Sequence, residues 1–219
     1  GFNDWVAKIA SAEGMETKSV IFPRTIADFT PLLLQTKAWK PDLIINLGVG
    51  APAYLMVKQA YDIGLFPKAK MLASFAWPIR PEYWDAAGKK GTYIMYTSYY
   101  KPGMLMTDIG DWAAPRYKKK YGEDPTFFAL NVFGEMVVIA QALNRAQSDD
   151  PKDLAKALVG HPYKDWNGEV LFKEPKGLKW HNVSAPHLVL QQTEVNQPFS
   201  ESLLVYPSNL GGTGKIAEP

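Results

Sequence analysis

Two short stretches of this chain hold the residues best suited to gripping a small molecule. Ser74-Phe75-Ala76-Trp77-Pro78 sets two large aromatics two residues apart in a loop, flat apolar surface on which a ligand can stack. Gly48-Val49-Gly50-Ala51 is a glycine turn that leads into a helix and offers backbone N–H groups. It lacks the third glycine of a dinucleotide fingerprint, because Ala53 falls at that place. A strand-to-helix turn or the wall of a cleft therefore fits it better than a phosphate cradle. Tyr99 and Tyr100 either line a connection between lobes or pack within it. Glu82 follows Pro81 in a first helical turn, where a carboxylate favours the helix dipole, and this outweighs a ligand role.

Chemistry beyond binding finds little material. The chain has no cysteine, which excludes thiolate catalysis, a disulfide framework and cysteine metal sites. Its three histidines are poorly spaced for a metal: His161 sits beside Pro162, and His181 and His187 are separated within a β region. There is no G-x-S-x-G, and no pair of carboxylates falls at adjacent strand ends. Lys118-Lys119-Lys120 ends a helix, where cations are favoured. Asn182-Val183-Ser184 is a glycosylation sequon by pattern only. The residues thus point to binding, with no catalytic residue, no metal and no cofactor.

The elements that position the two loops can be read from the flanking sequence. Thr30 is a helix-cap candidate with Pro31 at the first helical position, and Pro41 ends that helix. Leu43-Ile44-Ile45-Asn46-Leu47 is an apolar run without alternation, as in a parallel strand covered on both faces. The glycine turn opens the next helix, which Gly64 closes. Residues 70–74 are a second apolar strand, and the aromatic loop leaves its carboxyl end. Ligands of α/β sheets bind outside those ends. Before this unit, residues 3–14 predict a helix and 18–22 a strand; after it, 92–98 alternate as a strand. This succession predicts a parallel, doubly wound α/β sheet.

From Tyr99 the pattern changes. Helices are predicted over 107–121, where Pro115 must kink the helix or mark its true start, over 126–146 behind the cap Thr126, and from Asp150 to near Gly160. A β segment begins at Val170, turns at Pro175-Lys176-Gly177, and a last strand covers 187–192. From Pro198 the chain is predicted to be irregular. The 219 residues, 47% hydrophobic and 21% charged, suit a globular protein with a real core. A formal net charge of +2 gives no argument for nucleic acid or an anionic membrane. The most apolar stretch, 127–143, is interrupted by Asn131, Glu135 and Gln141 and is predicted to be a core helix.

Several ordered motifs carry a family resemblance. ADFTPLLLQTKAWKPDLIINLGVG, VKQAYDIGL, KKKYGEDPTFFALNVFGEMVVIAQALNRA, DDPKDLAKAL and NGEVLF follow one another as they do in type I periplasmic binding proteins. The resemblance is to the branched-chain amino-acid (leucine/isoleucine/valine) class and covers roughly residues 1–192. It implies an extracytoplasmic, periplasmic or membrane-tethered, solute-binding protein of an ABC importer. Such a protein has two hinged α/β lobes, a small-molecule ligand, a membrane permease as partner and no enzymatic activity. It further implies that residues 1–98 with 184–219 are lobe two without its first strand, that 99–103 are a hinge crossing, and that 104–183 are a mainly helical part of lobe one. A chain of that kind is a C-terminal fragment, and the apolar helix at 127–143 would be covered by self-association, by rearrangement or by a retained N-terminal piece.

On this resemblance the ligand-binding residues are Val49, Gly50, Ala51, Ser74, Phe75, Ala76, Trp77 and Tyr99. Amino-acid binders of the class place an acid in the loop aligned with Ser74–Pro78, where it pairs with the ligand's ammonium group. This loop carries none. The expected ligand is therefore a carboxylate or neutral compound without an α-ammonium. A cytoplasmic small-molecule sensor on the same fold, and an α/β enzyme, remain the alternatives.

Overall fold

The computed structural model describes residues 2–172 and 187–219. The chain forms two compact units, Gly1–Thr97 with Val189–Pro219, and Ser98–Leu188.

In the first unit, α1 (Phe2–Ala12) and α2 (Thr30–Ala38) precede β1 (Leu43–Asn46), α3 (Ala51–Asp62), β2 (Lys70–Ala73), α4 (Pro81–Ala87) and β3 (Ile94–Ser98). β1 and β2 pair in parallel from Leu43 opposite Lys70 to Asn46 opposite Ala73, and β2 pairs in parallel with β3. The predicted parallel sheet thus forms, with a helix between successive strands as a parallel crossover requires. Thr30 is not the cap of α2 but its first residue: Phe29 precedes it, and the Asp28 carboxylate accepts from the Thr30 N–H at 2.9 Å.

Three further expectations are corrected. Residues 18–22 adopt no strand, and Ile21 is left 86% exposed. An extended segment becomes a strand only when a neighbour pairs its N–H and C=O groups. β1 is not covered on both faces. It is an edge strand of a five-stranded sheet, with β2 as its neighbour, and its Leu43 and Ile45 are exposed while Asn46 is buried. The tail is not irregular throughout. β6 (Leu188–Gln192) pairs antiparallel with β7 (Leu203–Tyr206), with an irregularity between Val189 and Leu190. Apolar residues at 203–205 supply that strand; the surrounding Pro, Ser and Gly hid the signal. The amide of Gln191 ties the tail down by donating to Ala217 O and accepting from Ala217 N.

The second unit is mostly helical: α5 (Asp108–Tyr121), α6 (Phe127–Ala146) and α7 (Pro151–Leu158) are followed by a hairpin of β4 (Pro162–Asp165) and β5 (Gly168–Leu171). Thr107, Thr126 and Asp150 cap these helices, each accepting an N–H from the first turn. Pro115 neither starts nor ends α5. The helix runs through it, and the Arg116 guanidinium donates to Trp112 O at 2.9 Å, a carbonyl of the preceding turn. The core gathers Val138 and Ala142 of α6 with Tyr163 and Val170 of the hairpin, flanked by Leu154, Leu158 and Phe172. Gly134 lets α6 come this close, because a Cβ there would run into the Asp165 carboxylate. α6 is long and apolar enough to cross a membrane by length and composition alone, and one of its faces packs in this core. Another stripe, Phe128, Val132, Met136, Ile139 and Leu143, is exposed. The turn predicted at 175–177 and the sequon at 182–184 lie outside the described residues.

Candidate ligand-binding site

The loop after β1 is built around Asn46, the one polar residue of its strand and 1% exposed. Its Oδ1 accepts from Gly48 N at 2.9 Å, and its Nδ2 donates to Ala53 O in the first turn of α3 at 3.3 Å. Strand end, turn and helix start are thus locked by one amide. Gly50 then takes φ +67° and ψ −154°, a backbone state essentially reserved for glycine. Val49 stands out from this turn, more than half exposed, and Ala51 begins α3.

The loop after β2 is fixed to its neighbours at two points. Ser74 N donates to Asn46 O at 2.9 Å, continuing the ladder, and Phe75 N donates to Thr97 Oγ1 at 3.0 Å. Phe75 is held at φ +63°, in the left-handed region that a bulky side chain rarely enters. Phe75 is 43% exposed, whereas Ala76 and Trp77 are buried. Trp77 packs on Tyr54 and Tyr83 with ring centroids 5.4 and 5.2 Å away, and Tyr83 donates its hydroxyl to Gly91 O at 2.7 Å. These rings make a floor beneath the loop. Burial pushes the Tyr83 hydroxyl well above its ordinary range. It raises Tyr54 too, with Arg80 opposing and Glu82 adding to the shift. Both phenols are therefore neutral at physiological pH.

Seven of the eight residues read from sequence fall in these two loops, at the carboxyl ends of adjacent parallel strands. They divide by exposure. Val49 and Phe75 present apolar surface to solvent, while Ala76 and Trp77 serve as floor. Tyr99 belongs to the second unit, where its ring meets Phe127 and His187 edge-on at 5.2 and 4.9 Å. Sequence reading missed Asn46, Thr97 and Tyr54. A polar residue inside an otherwise apolar strand was the available signal for Asn46; Thr97 and Tyr54 carry none. The second unit also holds an open concavity of about 450 Å³ between residues 100–106 and α5. Its Lys118 pairs with Asp124 at 3.0 Å, and burial, with Asp124 adding, pushes Tyr100 up to about 12.

Comparison with known proteins places this geometry. A "Leu/Ile/Val-binding protein homolog 7" of Brucella abortus is 24% identical over 177 residues, 74% of this chain. The chain spans 44% of that relative's length. Among solved structures, a leucine-binding protein of Thermotoga maritima superposes with a TM-score of 0.80 at 20% identity, covering 96% of this chain and 57% of its own. A branched-chain amino-acid transporter substrate-binding protein of Streptococcus pneumoniae, in complex with isoleucine, gives 0.71 at 17% identity, with 94% and 57% covered. A type 1 periplasmic binding protein of Bordetella pertussis gives 0.74 at 18% identity, with 92% and 56% covered. These likenesses fix the fold as that of type I periplasmic binding proteins, and the proteins so named are binders of solutes rather than enzymes. The Periplasmic binding protein family matches residues 1–189, and the chain belongs to that family.

Proposed function

We propose that this chain is part of the solute-binding component of an ABC importer and works in the periplasm. It holds a small organic molecule and hands it to a membrane permease. The observation that supports this reading is the pair of loops after β1 and β2, which present Val49 and Phe75 as apolar surface, on a chain of the periplasmic binding family. The mechanism is closure of two lobes about the crossing at 99–103, which buries the ligand and excludes water.

The ligand is an aromatic or otherwise apolar carboxylate, or a neutral molecule of similar shape, without an α-ammonium group. Ser74-Phe75-Ala76-Trp77-Pro78 carries no acid to pair with such a group. A cation closed off from water without a counter-charge costs far more than one hydrogen bond returns. Calorimetry on the full-length protein tests this, with leucine and a set of aromatic acids titrated in parallel. Binding of an aromatic acid with leucine weak or silent is the expected outcome. Tight leucine binding with silence from the acids overturns the ligand assignment.

A further inference from the structure

Among the described residues, two buried polar atoms in the loop after β2 lack partners. Ser74 and Trp77 are 8% and 4% exposed, yet among the described residues neither Ser74 Oγ nor Trp77 Nε1 meets a hydrogen-bond partner. Burying such a group unpaired costs more than a made bond returns, so buried polar atoms are nearly always satisfied. An indole N–H donates and cannot accept, so it is completed only by an acceptor. Between the two sits Phe75 at φ +63°, its own N–H pinned by Thr97. Unused donors beside a strained residue mark a segment whose surroundings hold it ready for something else. Among the described residues the other unpaired buried group is the amide of Gln192. It lies within β6, outside the two loops of the candidate site.

We propose that the Ser74 hydroxyl and the Trp77 indole N–H donate to an oxygen acceptor of the ligand, a carboxylate or a carbonyl. The oxygen-bearing end of the ligand, rather than an ammonium, then rests on this loop, with the exposed ring of Phe75 beside it. The assignment rests on the reading of residues 74–77 as part of the ligand site. The loop has no Lys or Arg, so its two neutral donors suit a neutral carbonyl as well as a charged carboxylate.

The test is calorimetry on full-length wild type, Ser74→Ala and Trp77→Phe, with phenylacetate and phenylacetamide as probes. Each variant should bind the preferred probe roughly five- to tenfold more weakly, the loss expected for one hydrogen bond. Ser74→Ala should leave the melting temperature unchanged or higher, because no protein hydrogen bond is lost. Preference for phenylacetate assigns the carboxylate, and preference for phenylacetamide the carbonyl. If a probe binds and both variants keep wild-type affinity, water completes these donors and the proposal is overturned, while the ligand class stands. Silence from both probes overturns the ligand class and this assignment together.

Discussion

The loops that leave β1 and β2 are neighbours on one sheet edge, and they are held in opposite ways. After β1, a single buried amide satisfies the turn and the helix start, and the one demanding backbone state falls on a glycine. After β2, the demanding state falls on a phenylalanine, and two buried donors have no partner among the described residues. The first loop is complete by itself. The second is rigid, because Asn46 and Thr97 fix its backbone and aromatic rings floor it, but its polar chemistry is unfinished. A wall and a recognition element differ in just this way: one maximises its internal bonds, and the other keeps bonding capacity in reserve at a cost in stability.

Removing the amide that completes the first loop should have the largest effect. Asn46→Ala deletes both bonds, one of them buried, and leaves Gly48 N without its acceptor in a half-buried place. A loss of about 3 kcal/mol follows from the missing bonds and the stranded donor. Thermal unfolding of the full-length protein measures it. A loss below about 1 kcal/mol would show that water replaces the amide and that the loop is not self-contained.

Gly50→Ala comes next. At φ +67° and ψ −154° a Cβ is strained whatever the space around it, and no atom stands within 4 Å to be moved. The cost should be about 2 kcal/mol, all of it backbone strain. Thermal unfolding of the full-length protein measures that cost. A variant of normal stability that no longer binds would make Gly50 a contact rather than a hinge of the chain path.

How far these loops were legible in the sequence follows from the same contrast. Gly48-Val49-Gly50-Ala51 could be located because the backbone state it needs demands glycine, and that demand is written in residue type. The α/β alternation around it was equally plain, since Pro31, Pro41 and Gly64 punctuate helices and the strands between them are apolar. The strain at Phe75 left no trace, because it depends on Thr97 of the neighbouring strand holding the Phe75 N–H. The exposed edge of β1 and the missing strand at 18–22 were misread for a related reason. Apolar patterning reports that a segment suits a sheet, but not which neighbour is present to pair with it. Likewise, the aromatic pair at 75 and 77 looked like two equivalent stacking surfaces. Alternation of burial, set by Tyr54 and Tyr83 beneath, splits them into an exposed face and a floor.

The smallest expected change in stability is at Phe75, and it is also the sharpest check on the comparison. Phe75→Gly relieves the left-handed strain, worth about 1–2 kcal/mol. The added freedom of glycine in the unfolded chain takes back roughly 0.5–1 kcal/mol. Phe75 is nearly half exposed, so removal of its side chain gives up only part of a phenylalanine's burial. These contributions nearly cancel, and the melting temperature should move by no more than a few degrees in either direction. Phe75→Leu is the companion, because it keeps a branched side chain and the strain but removes the flat face. Both variants should bind aromatic probes more weakly, the glycine variant at near-wild-type stability and the leucine variant with none of the strain relieved. A loss of more than about 2 kcal/mol in Phe75→Gly would identify the ring as a packing element. The loop after β2 would then be a second wall, and the contrast with the loop after β1 would disappear.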